Sequence, residues 1–389
     1  MKYNALMAFL LFFVVFFRLS LIIPFLYLAF IPAFFGIMYL VRNFMITMGN
    51  GLVSIDRKNL LLLSIFIIIF LFCMVFDSFQ KSQSFQSYFT VRLFMLFLFS
   101  FVPAYYLVNR FIKGDLKLME RILVYSLWVQ IVIFFGMYIS PELKRLLYTF
   151  FGMSDSVNLW EQNAKVRGFG LSGEINFMTP FLMIYMSFFM MKRRYALICL
   201  TQIVNSNMAV IAAIIGIGCS RLNINIKIAT VLVLGVLVYS LGAVFFPRFY
   251  DEFVSGDGTR TLDILLQQHV FVVGNLDFFN IIFGLQQNIS SSIPDIKQSS
   301  DMGWVILFNY GGLTFITLFL FLIFTISIAT FGMTYQAIIW MLIGIIFNTK
   351  GLVLGSNGYF FLSFIYMFLN RVTLSGQSSI TNKLGQVSK

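Results

Sequence analysis

The sequence predicts an all-α fold: a polytopic transmembrane helix bundle of about 11–12 spans with two long, partly helical, non-cytoplasmic loops. Of its 389 residues, 60% are hydrophobic and 11% charged, whereas soluble domains have roughly 25% charged residues. Apolar runs such as 60–76 and 229–246 recur with almost no charge inside. Each run is near the ~20 residues that a helix needs to cross ~30 Å of hydrocarbon. Lipid must therefore solvate most of the surface.

Hydropathy places the individual spans within a single integral membrane domain, residues 1–389. The segment 1–17 begins like a signal peptide, but no small-x-small cleavage site follows it, so we interpret it as a membrane segment. Region 195–220 is predicted to hold two short helical pieces joined at Asn205-Ser206-Asn207. We expect spans at 4–20, 22–41, 60–76, 89–108, 122–140, 177–191, 195–204 with 207–220, 228–246, 302–328, 332–347 and 351–369.

Lysine and arginine set the predicted orientation. With the amino terminus inside, sixteen positive residues fall on short cytoplasmic segments and nine on the outer loops. Twelve of the fifteen acidic residues fall outside. This asymmetry predicts cytoplasmic termini. It also accounts for the net charge of +12 without a nucleic-acid partner.

Two outer loops, 141–176 and 247–301, are too long to be simple connectors, because connections in compact domains have a median of ~4–6 residues. Both contain aromatic residues such as Trp160 and Phe249, which argue against disorder. Within the second loop, Thr259 to Val270 is predicted to form a short amphipathic helix on the membrane. We therefore expect any chemistry to lie on these loops.

The segment from Gly168 to Gly173 matches the G-x-G-x-x-G pattern. A dinucleotide site needs a strand before this pattern and a soluble helix after it. An outer loop precedes it here and a membrane helix follows, which excludes that function. Two interpretations stay open. The glycines, with Arg167, could let backbone N–H groups approach an anion such as phosphate, or they could form a tight turn that feeds a helix.

Metal and cofactor chemistry is not expected. A zinc site needs three or four ligands, and the chain has one histidine and three cysteines, all three within apolar stretches. No Asp-x-Asp pair stands on an outer loop and no G-x-S-x-G element is present. These absences disfavour a metal-chelating nucleotide-sugar site and a serine hydrolase, so neither a metal nor a cofactor is predicted.

Cations and carboxylates on the outer loops are the remaining candidates. Guanidinium groups bind phosphate in a bidentate manner at any physiological pH. The candidate phosphate-binding cations are Arg167, Arg248, Arg260 and Lys165, and the candidate proton acceptors are Glu174, His269 and Asp301.

Each of several candidates also has a structural interpretation. Arg260 could pair with Asp263, Arg248 could pair with Asp251 or Glu252, and His269 could lie among lipid headgroups.

Asp301 lies in Ser299-Ser300-Asp301-Met302-Gly303-Trp304, at the outer edge of span 302–328. There it could cap the helix or, in a dry cleft, act as a general base. Arg18 and Arg92, near span ends, are interpreted as structural.

Three places in the sequence resemble the O-antigen polymerase family, within the superfamily of O-antigen ligases and polysaccharide polymerases. They are Arg167-Gly168-x-Gly170-x-x-Gly173-x-x-Asn176, the Ser206 turn, and Ser300-Asp301-Met302-Gly303-Trp304 followed by Gly311-Gly312. The resemblance covers about residues 160–315, and the first half of the chain is similar to the family only in hydropathy.

Membership of this family would imply a metal-independent, inverting glycosyltransferase of the bacterial inner membrane. Donor and acceptor would both be oligosaccharides on undecaprenyl pyrophosphate, with membrane lipid and a chain-length regulator protein as further partners. Arg167 and Arg260, with Arg248, Gly170 and Asn176, would bind the leaving pyrophosphate and the substrate. The resemblance implies that Asp301, Glu174 or His269 accepts the proton of the acceptor hydroxyl.

The chain also departs from the superfamily. Ligases have a His-Asn pair where this chain has Ser300-Asp301, which favours a polymerase over a ligase. The superfamily has Ser-Arg where this chain has Ser206-Asn207, so no role is assigned to that turn. The alternative from another class is a flippase for lipid-linked oligosaccharides. A flippase should have short outer loops and charged residues inside its spans, which is the reverse of this sequence.

Overall fold

A computed structural model describes residues 2–21, 27–49, 57–80, 84–152, 167–190, 196–220, 222–245, 250, 277–290 and 299–370. Within these ranges the regular structure is helical, and β-type pairing is limited to two isolated bridges, Ser20 with Tyr27 and Ser290 with Ser300. The predicted all-α membrane fold is confirmed.

The described residues form a series of helices. They are α1 (Lys2–Phe16), α2 (Phe30–Gly49), α3 (Arg57–Asp77), α4 (Phe89–Ile112), α5 (Leu116–Ile139), α6 (Pro141–Phe150), α7 (Met178–Met190), α8 (Ala196–Cys199, continued as a 3-10 helix over Leu200–Val204), α9 (Met208–Cys219), α10 (Ile224–Phe245), α11 (Phe278–Phe283), α12 (Gly303–Phe331), α13 (Tyr335–Lys350) and α14 (Gly358–Asn370). In the described part of the chain, α3, α4, α5 and α12 are long and apolar enough to cross a membrane.

Several predicted span boundaries are wrong. The first helix ends at Phe16 rather than residue 20, because Arg18 adopts a left-handed backbone with φ of 51°. The second begins at Phe30 rather than residue 22 and runs to Gly49, so Pro32 lies in its first turn. A proline there breaks no helical hydrogen bond. The last described helix begins at Gly358 rather than residue 351.

The chain forms two compact units. The first comprises Met1–Phe30 and Lys117–Asp263, and the second comprises Ile31–Leu116 and Ile264–Lys389. In the first unit, α9 packs against α7 through small residues. A Cβ added to Gly216 would lie 3.0 Å from Cβ of Phe188. Close contact through small residues is the usual way in which helices associate in lipid.

A buried carboxylate organises part of the second unit. Asp77, at the end of α3, accepts hydrogen bonds from the Phe89 N–H (3.1 Å) and the Thr90 N–H (2.9 Å) at the start of α4. It also accepts from the hydroxyls of Thr90 (2.7 Å) and Tyr310 (2.8 Å). The charge thus lies at a helix amino terminus, where free N–H groups and the helix dipole stabilise it. Asp77 joins α3, α4 and α12.

The long helix α12 is kinked at Gly311 and Gly312, and α11 packs into the kink. Gly312 has φ of 60° and Gly284, which follows α11, has φ of 68°. A Cβ on Gly284 would lie 2.7 Å from the Gly312 nitrogen, and one on Gly312 would lie 2.4 Å from the Ile282 carbonyl oxygen. Both positions therefore require glycine, for backbone conformation and for close contact.

We expect Gly284→Ala to lower the free energy of unfolding by roughly 1–3 kcal/mol, which is the cost of placing a non-glycine residue at a positive φ. The new methyl group would also contact backbone atoms of α12. The matched control is Gly235→Ala in α10, where a Cβ would have no neighbour within 4 Å. Thermal unfolding of the detergent-solubilised chain measures both. Equal midpoints for the two variants would contradict the assigned contact.

Candidate functional site

The glycine-rich segment, residues 167–173, is buried over Gly168, Phe169, Gly170 and Leu171 in the first unit. Gly168 has φ of 80° and Gly170 has φ of 123°, backbone conformations that favour glycine. The segment is not helical, so its peptide groups have no helical partners. Its hydrogen bonds must come from other elements.

Asn205 supplies several of these bonds. Its Oδ1 accepts from the N–H groups of Gly168 (2.9 Å) and Phe169 (2.7 Å), and its Nδ2 donates to the Phe169 carbonyl (2.7 Å). The side chain is 1% exposed. It belongs to the turn between α8 and α9, to which sequence reasoning assigned no role. A polar residue between two apolar half-helices was the available signal.

Helices α5 and α6 complete the arrangement. Gln130 Oε1 accepts from the Leu171 N–H (2.8 Å), and Gln130 Nε2 donates back to the Leu171 carbonyl. The Gly170 N–H donates to Met137 Sδ at 3.1 Å. The Tyr148 hydroxyl, whose pKa is raised by burial, donates to the Gly168 carbonyl at 2.6 Å.

The four amides from Gly168 to Leu171 therefore already have acceptors within the protein. The interpretation in which these glycines present N–H groups to an anion is wrong for these amides, because a buried N–H that already donates to a protein acceptor is not available to a ligand. The alternative, a tight turn that feeds α7, describes the segment. Gly170 is buried and its N–H already donates to Met137. Its role in substrate binding stays a prediction and would not involve this N–H.

Arg167 lies at the partly exposed end of this segment. Its carbonyl accepts a hydrogen bond of 2.7 Å from Nζ of Lys144 in α6. The Lys144 amine also lies 4.1 Å from the Phe169 ring centroid, and the residue is 3% exposed. Burial, and then the charge of Arg167, lower the pKa of Lys144 to about 7. Sequence reasoning missed Lys144, because a lysine in a predicted outer loop is normally solvated.

Glu174 forms an ion pair with Arg18, at 2.8 Å between Oε1 and Nη1. Arg18 Nε also donates to the Tyr27 hydroxyl at 3.2 Å. The Gly173 N–H donates to the Phe17 carbonyl at 2.9 Å, close to this pair. The end of α1 is thereby tied to the glycine-rich segment. Arg18 has the structural role expected, and the role of Glu174 as a proton acceptor stays a prediction.

Asn176 follows the segment and is half-buried. Its buried Oδ1 accepts no hydrogen bond from the described residues. Its predicted contact with substrate is consistent with that free acceptor and stays a prediction.

Asp301 belongs to the second unit and is exposed. The predicted N-cap is wrong, because Met302 rather than Asp301 holds the N-cap position of α12, and the Met302 side chain makes no capping hydrogen bond. The Met302 N–H donates instead to Ser300 Oγ at 3.1 Å. The general-base role was expected for an Asp301 that lies in a dry cleft, whereas the residue is exposed. Its role as a base stays a prediction.

Three predicted site residues lie outside the described residues: Arg248, Arg260 and His269, together with Lys165 and the amphipathic helix predicted over Thr259 to Val270. Their roles stay predictions. Among the described residues, no three His, Cys, Asp or Glu side chains form a group that could hold a metal ion. The candidate site described here therefore consists of Arg167, Lys144 and the Arg18–Glu174 pair around a fixed loop.

Lys144→Met should make stability depend less on pH. The pKa of Lys144 falls from 10.5 in the unfolded chain to about 7 in the folded chain, so protonation opposes folding. The penalty is complete below pH 7 and is lost as pH rises toward 10.5. The native midpoint should rise with pH across this window more than that of Lys144→Met. Lys117→Met, at an exposed site, is the control. Parallel curves for native chain and Lys144→Met would refute the assignment.

Comparisons with known proteins add no identification. No protein-family model, no curated protein and no solved structure matches this chain.

Proposed function

We propose that this protein is a repeat-unit polysaccharide polymerase of the O-antigen type. It would be an inverting, metal-independent glycosyltransferase of the bacterial inner membrane, joining oligosaccharides carried on undecaprenyl pyrophosphate at the periplasmic face. The observation that carries the proposal is the position of Arg167, whose main chain is held at the partly exposed end of a buried loop in which the four amides from Gly168 to Leu171 are hydrogen-bonded.

The chemistry needs a fixed cation. As the bond between the anomeric carbon and the pyrophosphate oxygen breaks, negative charge grows on that oxygen. A preorganised donor stabilises such charge because it does not have to reorient during the reaction, and removing one donor of this kind lowers kcat by roughly 100–1,000-fold. The main chain of Arg167 is fixed by Lys144, and the next residues are fixed by Asn205. In the proposal, Arg260 and Arg248 add further positive charge.

The acceptor sugar hydroxyl attacks the anomeric carbon from the face opposite the pyrophosphate and transfers its proton to a base. Glu174, Asp301 and His269 are the proposed bases. Glu174 is the one closest in sequence to Arg167, and its pairing with Arg18 keeps a carboxylate beside the glycine-rich segment. No metal takes part, because guanidinium groups replace it at the pyrophosphate.

Loss of the gene separates the proposed function from its alternatives. Without a polymerase, single repeat units should still reach the surface on the lipid core, visible as one short band on a polysaccharide gel. If no repeat unit reaches the surface, the protein is a flippase. If repeat units polymerise but remain on the carrier lipid, it is a ligase.

Arg167→Ala should reduce polymer formation by roughly 100–1,000-fold, the effect of losing one charge-stabilising donor, while membrane insertion is retained. Polysaccharide length on gels measures this, with immunoblotting for the protein in the membrane fraction. Arg121→Ala, at the exposed start of α5, is the matched control and should leave the ladder unchanged. A normal ladder from Arg167→Ala would remove Arg167 from the pyrophosphate site.

A further inference from the structure

Helix α6 has three distinct faces. One face is buried against the glycine-rich segment, one is exposed and polar, and one is exposed and apolar. The buried face holds Lys144 and Tyr148, the polar face Glu142, Arg145 and Thr149, and the apolar face Leu143, Leu146 and Phe150, exposed by 38%, 63% and 49%. The spacing of three and four residues places each set on one side of a helix.

The apolar face follows directly from a membrane-spanning surface. In α5, Val132, Phe135 and Ile139 are exposed by 66%, 42% and 81%, so this row reaches the last residue of the span. Ser140 then caps α6, its Oγ accepting from the Leu143 N–H at 3.2 Å. A Cβ on Gly136 would lie 3.1 Å from Leu143 Cδ2, so α6 folds back onto the end of α5.

We propose that α6 is a membrane-surface helix whose apolar face enters the lipid at the end of α5 and whose buried face positions Arg167. The partner of this apolar face is the acyl-chain region of the bilayer. With 10 residues, α6 is about 15 Å long, too short to cross ~30 Å of hydrocarbon. A helix with separate polar and apolar exposed faces lies in the plane of the interface.

The buried face of α6 connects the lipid contact of this helix to the position of Arg167. Lys144 Nζ holds the Arg167 carbonyl and the Tyr148 hydroxyl holds the Gly168 carbonyl, at 2.7 and 2.6 Å. The depth of α6 in the membrane therefore sets the depth of Arg167. A pyrophosphate attached to a lipid lies at the same level, just outside the hydrocarbon. This positioning role rests on the proposed function, whereas the lipid contact does not.

The lipid contact is tested by spin labels on Leu146→Cys and on the matched control Glu142→Cys. The full chain, with Cys73, Cys199 and Cys219 replaced by alanine, is reconstituted in vesicles of phosphatidylethanolamine and phosphatidylglycerol. Collision rates are measured with oxygen, which concentrates in lipid, and with a water-soluble nickel chelate. The oxygen-to-nickel ratio should be at least several-fold higher at residue 146 than at residue 142. Equal ratios, or a residue 146 label shielded from both reagents by protein, overturn the proposal.

If the cysteine-free chain does not fold, Leu146→Trp and Glu142→Trp in the otherwise native chain give the same comparison. Brominated lipids should quench added fluorescence only in Leu146→Trp, and equal quenching would overturn the lipid contact.

Polymer formation tests the positioning role. Leu146→Asp should shorten the polysaccharide ladder and Leu146→Phe should preserve it. If Leu146→Asp leaves the ladder normal, α6 does not position Arg167. If the native chain forms no polymer, the proposed function fails while the spin-label result still decides the lipid contact.

Discussion

The side-chain amide of Asn205 forms hydrogen bonds with the glycine-rich segment that a peptide group of a regular helix would otherwise form. An amide side chain has a donor and an acceptor, as a peptide group does, and Asn205 uses both on Phe169 while also accepting from Gly168. Gln130 does the same for Leu171. A buried segment that is not helical has no helical partners for its peptide groups, which must be paired by other parts of the protein. Two buried amides therefore make the irregular path of the glycine-rich segment possible.

The same contact accounts for the broken helix beside it. Helix α9 has 12 residues, about 18 Å of helix, which is too short to cross the hydrocarbon alone. The turn before it would leave polar groups buried if it had no partner. Asn205 and the glycine-rich segment satisfy one another, so the turn and the loop depend on a single interface. Lys144, Tyr148 and the Arg18–Glu174 pair then fix the two ends of the loop.

Hydropathy was sufficient to predict the fold class and the four described helices that are long and apolar enough to cross a membrane, α3, α4, α5 and α12, because length and apolar content alone decide whether a helix can cross. It failed where a single residue controls the backbone, as at Arg18, and it did not locate the short helix α6 within the first long loop. The glycine spacing located the loop, but the direction of its amides depends on residues distant in the chain. Asn205 is separated from Gly168 by 37 residues, and its pairing cannot be read from local sequence. The N-cap of α12 was predicted one residue too early, at Asp301 instead of Met302, because the exact end of a helix is the least certain part of such predictions.

Amide hydrogen exchange of residues 168–171, followed by mass spectrometry in detergent, tests most directly whether Asn205 holds this segment. Leaving the partners of Asn205 without their hydrogen bonds costs roughly 1–3 kcal/mol, which corresponds to about 5–150-fold in an opening equilibrium. Asn205→Ala should accelerate exchange of the Gly168 and Phe169 amides by that factor, while Asn225→Ala, on the exposed first turn of α10, should exchange as the native chain does. Unchanged protection of residues 168–171 in Asn205→Ala would contradict the account.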